Sequence, residues 1–422
     1  MTKLARGLDQ FPQKTIYVLL SLARESGMVN LGLGEPNFDA PREAIDAAIN
    51  SLKSGETHYT PDPGTMQMRE AILEKTKRDN DFDFDPETEI IVTAGSSAAL
   101  FGTILATVET GDEVIVPAPS YLAYDPVIKF AGARPIFVPA TEENDFIPTT
   151  EDIASVVTHR TKAMIVCSPN NPTGAVWSKS NLRGIADLAL DHDFHVISDE
   201  LYERILYDGN KAQSIASFDD MQEHAITLNG VSKSYAMTGF RVGWVIGSAR
   251  VIDAYRKIHQ NISVCACATS QAASTAALND CEYYVQDMVS EYDRRRKLLL
   301  DRINNHIPLM SVTRPKGSFY MFVNVKDLVD KYLEDMLEYL RSEKVKSFYK
   351  KIPDVGKQWV NEGDSGSKIS MLYLIAKVKT LTAPGIAFGP VGENFLRVSF
   401  AQEYGLIENA LNNMQKVLEP WG

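Results

Sequence analysis

Through the middle of the chain, short apolar runs alternate with stretches whose apolar positions repeat every three to four residues. The runs at 90–93, 113–117, 135–138, 162–167 and 195–198 have the length of strands, and two more follow at 225–228 and 242–246. Helical patterns lie between them, from Ala98 towards Val108, after Tyr121 to near Gly132, and through Asp191. Strands alternating with helices predict an α/β fold, a mostly parallel sheet with helices on both faces. Upstream, 15–25 carries Ile16, Leu19, Leu20 and Leu22 at helical spacing, and 41–52 reads as a second helix. After Trp244 the pattern changes to a long polar helix over 282–305, a hairpin over 312–323, a strand over 395–400 and a closing helix over 403–418. This part no longer alternates and predicts a smaller α+β domain. The expected division is an N-terminal arm with part of the small domain over 1–45, a large domain over 46–300, and a small domain over 301–422.

In a parallel sheet, ligands bind at the carboxyl ends of the strands. The loops after Thr93, Pro117, Cys167, Ser198 and Leu228 all fall there. The last of them, running from Asn229 to Arg241, holds Lys233 among small and hydroxyl-bearing residues, with Arg241 eight positions on. A lysine so placed can lose its proton and form an imine with an aldehyde. The arginine fork, with Ser232, suits the phosphate of such an aldehyde. Taken alone the stretch is also compatible with a surface loop. Gly95, Ser96 and Ser97 open a helix straight after a strand, which attracts phosphate or simply caps the helix. Gly32, Gly34 and Pro36 imply irregular backbone passing something bulky, or a turn. An isolated loop tyrosine, Tyr59, is expected to be half-buried, and the lone strand arginine, Arg397, to lie at an edge or in a pair.

Composition narrows the classes. The 422 residues are 44% hydrophobic and 23% charged, as in soluble globular proteins. A net charge of −12 argues against nucleic acid as a partner. The basic run Arg294, Arg295, Arg296 and Lys297 is therefore expected to be a solvated helix face. No apolar stretch approaches the ~20 residues that span a bilayer, and the first residues show no signal core. Cys167, Cys265, Cys267 and Cys281 lack metal-ligand spacing, and Cys265 and Cys267 are expected to pack as small hydrophobes in a reducing cytoplasm.

Together the motifs resemble the fold-type I, pyridoxal 5'-phosphate-dependent aminotransferases of class I/II, in the family's order from about Asn30 to the last helix. The resemblance implies that Lys233 carries the cofactor and, once freed by substrate, moves a proton between the substrate α-carbon and the cofactor C4′ carbon. Ser232 and Arg241 would bind phosphate together with Gly95, Ser96 and Ser97. Asp199 would pair with the ring nitrogen and keep the ring cationic. Asn171 and Tyr202 would hydrogen-bond the ring's phenolic oxygen. Tyr121 would stack on the ring. Arg397 would take the substrate α-carboxylate beside the Gly34 backbone, with Asn171 also at the substrate. Tyr59 matches a tyrosine that reaches the phosphate of the partner subunit, which implies a homodimer with shared sites. The resemblance further implies cis bonds before Pro119 and Pro172, and no metal.

Three departures bear on specificity. Gly230 stands where some relatives carry a phosphate-binding serine. Ser97 stands where an acid-specific subgroup carries a lysine. The segment 332–367 looks like an insertion. The expected reaction moves an amino group between an L-amino acid (aspartate, alanine or aromatic) and a 2-oxo acid, with 2-oxoglutarate as the common acceptor. The 144–174 region also resembles alanine-type members. A β-lyase or decarboxylase on the same cofactor is the rival, since the cofactor supplies the electron sink in each case. A regulator with an aminotransferase-like domain would need a DNA-binding module ahead of it. The roughly thirty residues before Gly34 carry no helix-turn-helix signal.

Overall fold

The computed structural model describes residues 28–352, 354–363 and 365–421, so the helix expected over 15–25 lies outside the described residues. Among those residues the strands are β1 (Val29–Asn30), β2 (Ile90–Thr93), β3 (Glu113–Ala118), β4 (Arg134–Pro139), β5 (Thr161–Cys167), β6 (His195–Asp199), β7 (Ala225–Gly230), β8 (Gly243–Ile246), β9 (Ser311–Val312), β10 (Tyr320–Asn324), β11 (Thr380–Leu381), β12 (Ala383–Pro384) and β13 (Phe395–Ser399). Strands β2 to β8 make a sheet in the order β2-β8-β7-β6-β5-β3-β4. All neighbours are parallel except the two pairs that involve β8.

Side chains alternate between two cores. Val114 and Val116 enter one and Ile115 the other; Ile165 and Cys167 face the first, Met164 and Val166 the second. The first core is closed by helices Ser96–Thr107 and Ala249–Ile262, the second by Lys179–His192. With both faces covered, the strands read as unbroken apolar runs. Each fully buried Ile, Val or Leu contributes about 1.5–3 kcal/mol.

A second, antiparallel sheet has the order β12-β13-β10-β9, and β1 pairs in parallel with β11. The expected hairpin is β9 and β10. Pro384 ends a short strand, β12, which is followed by the 3-10 helix Gly385–Phe388. Within 332–367, Met336, Leu337, Leu340, Trp359 and Val360 are buried in the same core as β10 and β13. The segment is thus built into the small sheet's helical cover.

Two expectations are corrected. The basic run is solvated on one side only. Arg295 and Arg296 are buried in helix Glu282–His306, where Arg296 pairs with Asp208 and Asp293, and Arg295 with Glu291 and Asn37. The helical period turns these two inward, and buried charge persists there because it is paired. Cys265 and Cys267 do not pack: Cys267 is exposed and Cys265 half-exposed, with only Ala266 buried between them. They lie in the loop joining helices Ala249–Ile262 and Ala268–Asp280, where the residue that turns inward is the alanine.

Candidate active site

The carboxyl ends of β2, β3, β5, β6 and β7 reach one edge of the sheet. Because β8 runs the other way, its amino end arrives there too. A cavity of about 250 Å³ lies at this edge, closed from the opposite side by Gly32, Leu33 and Gly34, by Tyr320 of β10 and by Arg397 of β13. Two of the loops that frame it carry cis prolines, one at Ala118–Pro119 and the other at both Asn171–Pro172 and, unanticipated, Ser168–Pro169.

Lys233 sits in the single helical turn Val231–Ser234 that follows β7. Its Nζ crosses the cavity and donates to the Gly34 carbonyl at 2.5 Å. Loss of water lowers its pKa to about 8; Glu35 opposes that shift, while Arg397 and Arg241 reinforce it. Asp199 closes β6. Strand alternation puts it on the face of Ile197 and into the cavity, whereas Ser198 and Glu200 take the other face and bond each other at 2.8 Å. Tyr124 Oη donates to Asp199 Oδ2 at 2.7 Å, and the Leu201 N–H to Oδ1 at 3.3 Å. Burial pushes the Asp199 carboxyl up; the Tyr124 hydrogen bond and the charge of Lys233 pull it back down. The Cys167 thiol beside them is buried, and burial pushes it up, so it stays neutral.

Arg397 is buried. Its Nη1 donates to Asn171 Oδ1 at 2.9 Å and its Nη2 to the Gly32 carbonyl at 2.6 Å. The guanidinium lies over the Tyr320 ring at 4.4 Å and the Phe388 ring at 4.8 Å. Its Nε is buried and has no partner among the described residues. Tyr202 Oη meets Tyr320 Oη at 3.0 Å. Tyr121 lines the cavity and packs edge-on against Tyr124. Ser96, Ser97, Ser232 and Arg241 line the other end. Gly95 stands behind them with φ +85°, and a Cβ there would come within 2.5 Å of the Arg241 guanidinium. Behind β6, a buried network joins Glu200 and Glu203 to Lys75 and Asn80.

The fold therefore gathers Gly34, Ser96, Ser97, Tyr121, Asn171, Asp199, Tyr202, Ser232, Lys233, Arg241 and Arg397 around one cavity. Tyr59 is not among them. It is 84% exposed, contrary to the half-buried expectation. Its loop is pinned by neighbours instead: Gln271 donates to Thr60 Oγ1, and His259 and Arg256 bind Asp62, leaving the Tyr59 ring pointing outward. Tyr124, Tyr320, Cys167 and Thr238 escaped the sequence reading. Tyr124 lies one helical turn from Tyr121, a spacing that could have flagged it. Tyr320 carries no local signal, because a tyrosine in a hairpin reads as core.

Comparison with known proteins agrees with this geometry. The family model for aminotransferase class I and II matches residues 26–412. The aromatic-amino-acid aminotransferase 2 of Thermococcus litoralis is 36% identical over 98% of this chain and 97% of its own. The aspartate aminotransferase of Pyrococcus abyssi is 38% identical over 93% and 92%. The crystal structure of an aromatic aminotransferase from Pyrococcus horikoshii superimposes with a TM-score of 0.82, at 36% identity, over 95% of this chain and 99% of that one. A cavity at the carboxyl edge of the sheet with a lysine of depressed pKa at its centre, and similarity along nearly the whole length, lead to one conclusion: this chain belongs to the class I and II aminotransferase family, and it is an aminotransferase.

Proposed function

We propose that the enzyme binds pyridoxal phosphate at Lys233 and exchanges an amino group between an L-amino acid and 2-oxoglutarate. The observation that carries this reading is Lys233 itself: a lysine with a pKa of about 8, in a cavity that has a carboxylate on one wall and an arginine at each end. The donor set suits the cofactor. Arg241 and the hydroxyls of Ser96, Ser97 and Ser232 match a phosphate, and Gly95 leaves room for the guanidinium. Arg397 Nε, buried and unpartnered, calls for an acceptor from a bound molecule.

When bound, pyridoxal phosphate supplies an aldehyde and a cationic ring that accepts the electron pair left as the α-proton departs. Asp199, oriented by the Tyr124 hydrogen bond, would pair with the ring nitrogen. Asn171 gives its Oδ1 to Arg397, which leaves its Nδ2 to donate, with Tyr202, to the ring's phenolic oxygen. Tyr121 packs on the ring face. Arg397 takes the α-carboxylate next to the Gly34 backbone. Lys233 would serve as the base that takes up the α-proton and gives it back.

The donor range includes neutral and aromatic amino acids. Lys233, Arg241 and Arg397 each have a task, and no other cation lines the cavity among the described residues. Ser97, Leu33, Leu100 and Leu122 complete the walls. Relatives named for aromatic amino acids and for aspartate support a broad range. The enzyme acts as a cytoplasmic homodimer in which Tyr59 serves the partner's site. Ile45, Ile49 and Leu52, exposed on one side of helix Arg42–Lys53, support a second copy covering that side. The test is to add single amino acids to the loaded protein and follow conversion of its absorbance to the amine form, with release of ammonia and pyruvate measured in parallel. Conversion without ammonia supports transamination; stoichiometric ammonia would replace it with a lyase.

A further inference from the structure

Tyr320 is left unexplained by the roles above. It is buried on β10, lines the cavity, and touches three groups at once. Its hydroxyl meets that of Tyr202 at 3.0 Å. Its ring face lies 4.4 Å from the Arg397 guanidinium. Its Oη also sits where position 34 can only be glycine, since a Cβ there would come within 1.9 Å of it. Two phenols sharing one hydrogen bond have two protons and use one between them. If Tyr202 turns its proton to the cavity, Tyr320 must donate to the Tyr202 oxygen. Both hydroxyls stay protonated at neutral pH, because burial pushes each upward. A phenol that accepts a hydrogen bond becomes a stronger donor.

We infer that Tyr320 is a positioning residue with two separable tasks: its hydroxyl aims and strengthens the Tyr202 donor, and its ring face seats Arg397. The inference rests on the proposed cofactor reading. It reaches the reaction through Tyr202 and Arg397 and not through contact with reacting atoms. The two tasks belong to different atoms, so two substitutions divide them. Tyr320→Phe removes the hydroxyl and keeps the ring; Tyr320→Leu removes both.

In Tyr320→Phe, the phenolic oxygen of the bound cofactor loses part of its hydrogen-bond support. The pH midpoint of the cofactor absorbance moves upward, and kcat falls about fivefold, the size of one neutral hydrogen bond. KM for the amino acid stays within about twofold, since the stack under Arg397 is retained. In Tyr320→Leu, the same midpoint shift is joined by a rise in KM on the order of tenfold as the cation loses its aromatic seat. Melting temperature and the cofactor dissociation constant are measured for each variant. An unshifted midpoint in Tyr320→Phe, or a change confined to melting temperature, overturns the inference. So does an equal rise of KM in both variants. Reductive trapping of pyridoxal phosphate on Lys233 of the wild type is the separate control. A wild type that traps normally beside an unshifted Tyr320→Phe overturns the role of Tyr320 alone.

Discussion

Tyr124 and Asp199 are joined by a 2.7 Å hydrogen bond between two side chains contributed by different strand ends, one after β3 and one at the end of β6. The phenol is buried and remains a donor; burial raises the carboxyl's pKa, and the phenol's hydrogen bond offsets part of that rise. Their pairing decides how much negative charge faces the cavity.

Replacing Tyr124 with Phe removes a hydrogen bond to a charged acceptor, which contributes about 1.5–3 kcal/mol. The expected loss in kcat/KM is roughly ten- to a hundredfold. The sign of the pH effect follows from the same bond. Without the donor the Asp199 pKa rises, so the acidic limb of the pH profile moves to higher pH. An acidic limb that stays in place in Tyr124→Phe would show that Asp199 is held by other means.

Lys233→Ala is expected to abolish turnover while the fold persists, seen as an unchanged circular dichroism spectrum. Borohydride reduction followed by peptide mapping should label Lys233. Reduced cofactor on any other lysine refutes the assignment.

The lysine's depressed pKa predicts how the cofactor-free protein captures the aldehyde. Only the neutral amine attacks, so the capture rate rises with pH up to about 8 and then levels. Arg397 reinforces that depression, so Arg397→Met should shift the plateau to higher pH. Stopped-flow absorbance across pH 6–10 checks both statements; a plateau unmoved in the variant counts against electrostatic coupling between them.

For specificity, kcat/KM is compared for aspartate, alanine, phenylalanine and tyrosine with 2-oxoglutarate as acceptor. A hydroxyl at Ser97 in place of an ammonium forfeits a charge-assisted bond. Aspartate is therefore expected not to exceed the others by more than about a hundredfold, a gap of ~2.7 kcal/mol. A larger preference would require a cation beyond the three that line the cavity among the described residues, such as one from the partner subunit.

Lys75 is the only cation within hydrogen-bond reach of the buried Glu200 and Glu203 pair among the described residues. Burial and the charge of Glu203 push the Glu200 carboxyl up to about 8, so Lys75→Met leaves the Glu203 carboxylate buried without its cation, at an expected cost of about 3–5 kcal/mol. Urea denaturation measures it. A loss under 1 kcal/mol would mean that Glu203, too, takes up a proton once the lysine is gone.

The strands of the large sheet were legible because each is a continuous apolar run, and the loops after them because glycine, proline and hydroxyl residues interrupt those runs. Lys233, Asp199 and Asn171 stand out for that reason. What stayed hidden depends on long-range packing. Arg296 looks like a surface residue until Asp208, 88 positions away, is found beside it. Tyr59 looks like an ordinary half-buried tyrosine because the bonds that hold its loop, from Gln271 and His259, come from helices some 200 residues further on. Tyr320 and Tyr124 are tyrosines whose apolar rings satisfy the core pattern, and the pattern does not report where their hydroxyls end.

The bond from Arg397 to the Gly32 carbonyl spans 365 positions of sequence. It therefore has a meaning during synthesis. A nascent chain that has reached Arg241 already contains Lys233, Asp199, Ser96, Ser97 and Ser232, but Arg397 is still 156 residues from being made. At roughly 5–20 residues per second, that interval lasts on the order of ten to thirty seconds. Throughout it, the Gly32 carbonyl and Asn171 Oδ1 are without the guanidinium that holds them in the finished protein. Any chain that ends before Arg397 also lacks β13, so it is missing the strand that joins β12 to β10 as well as the bond to Gly32.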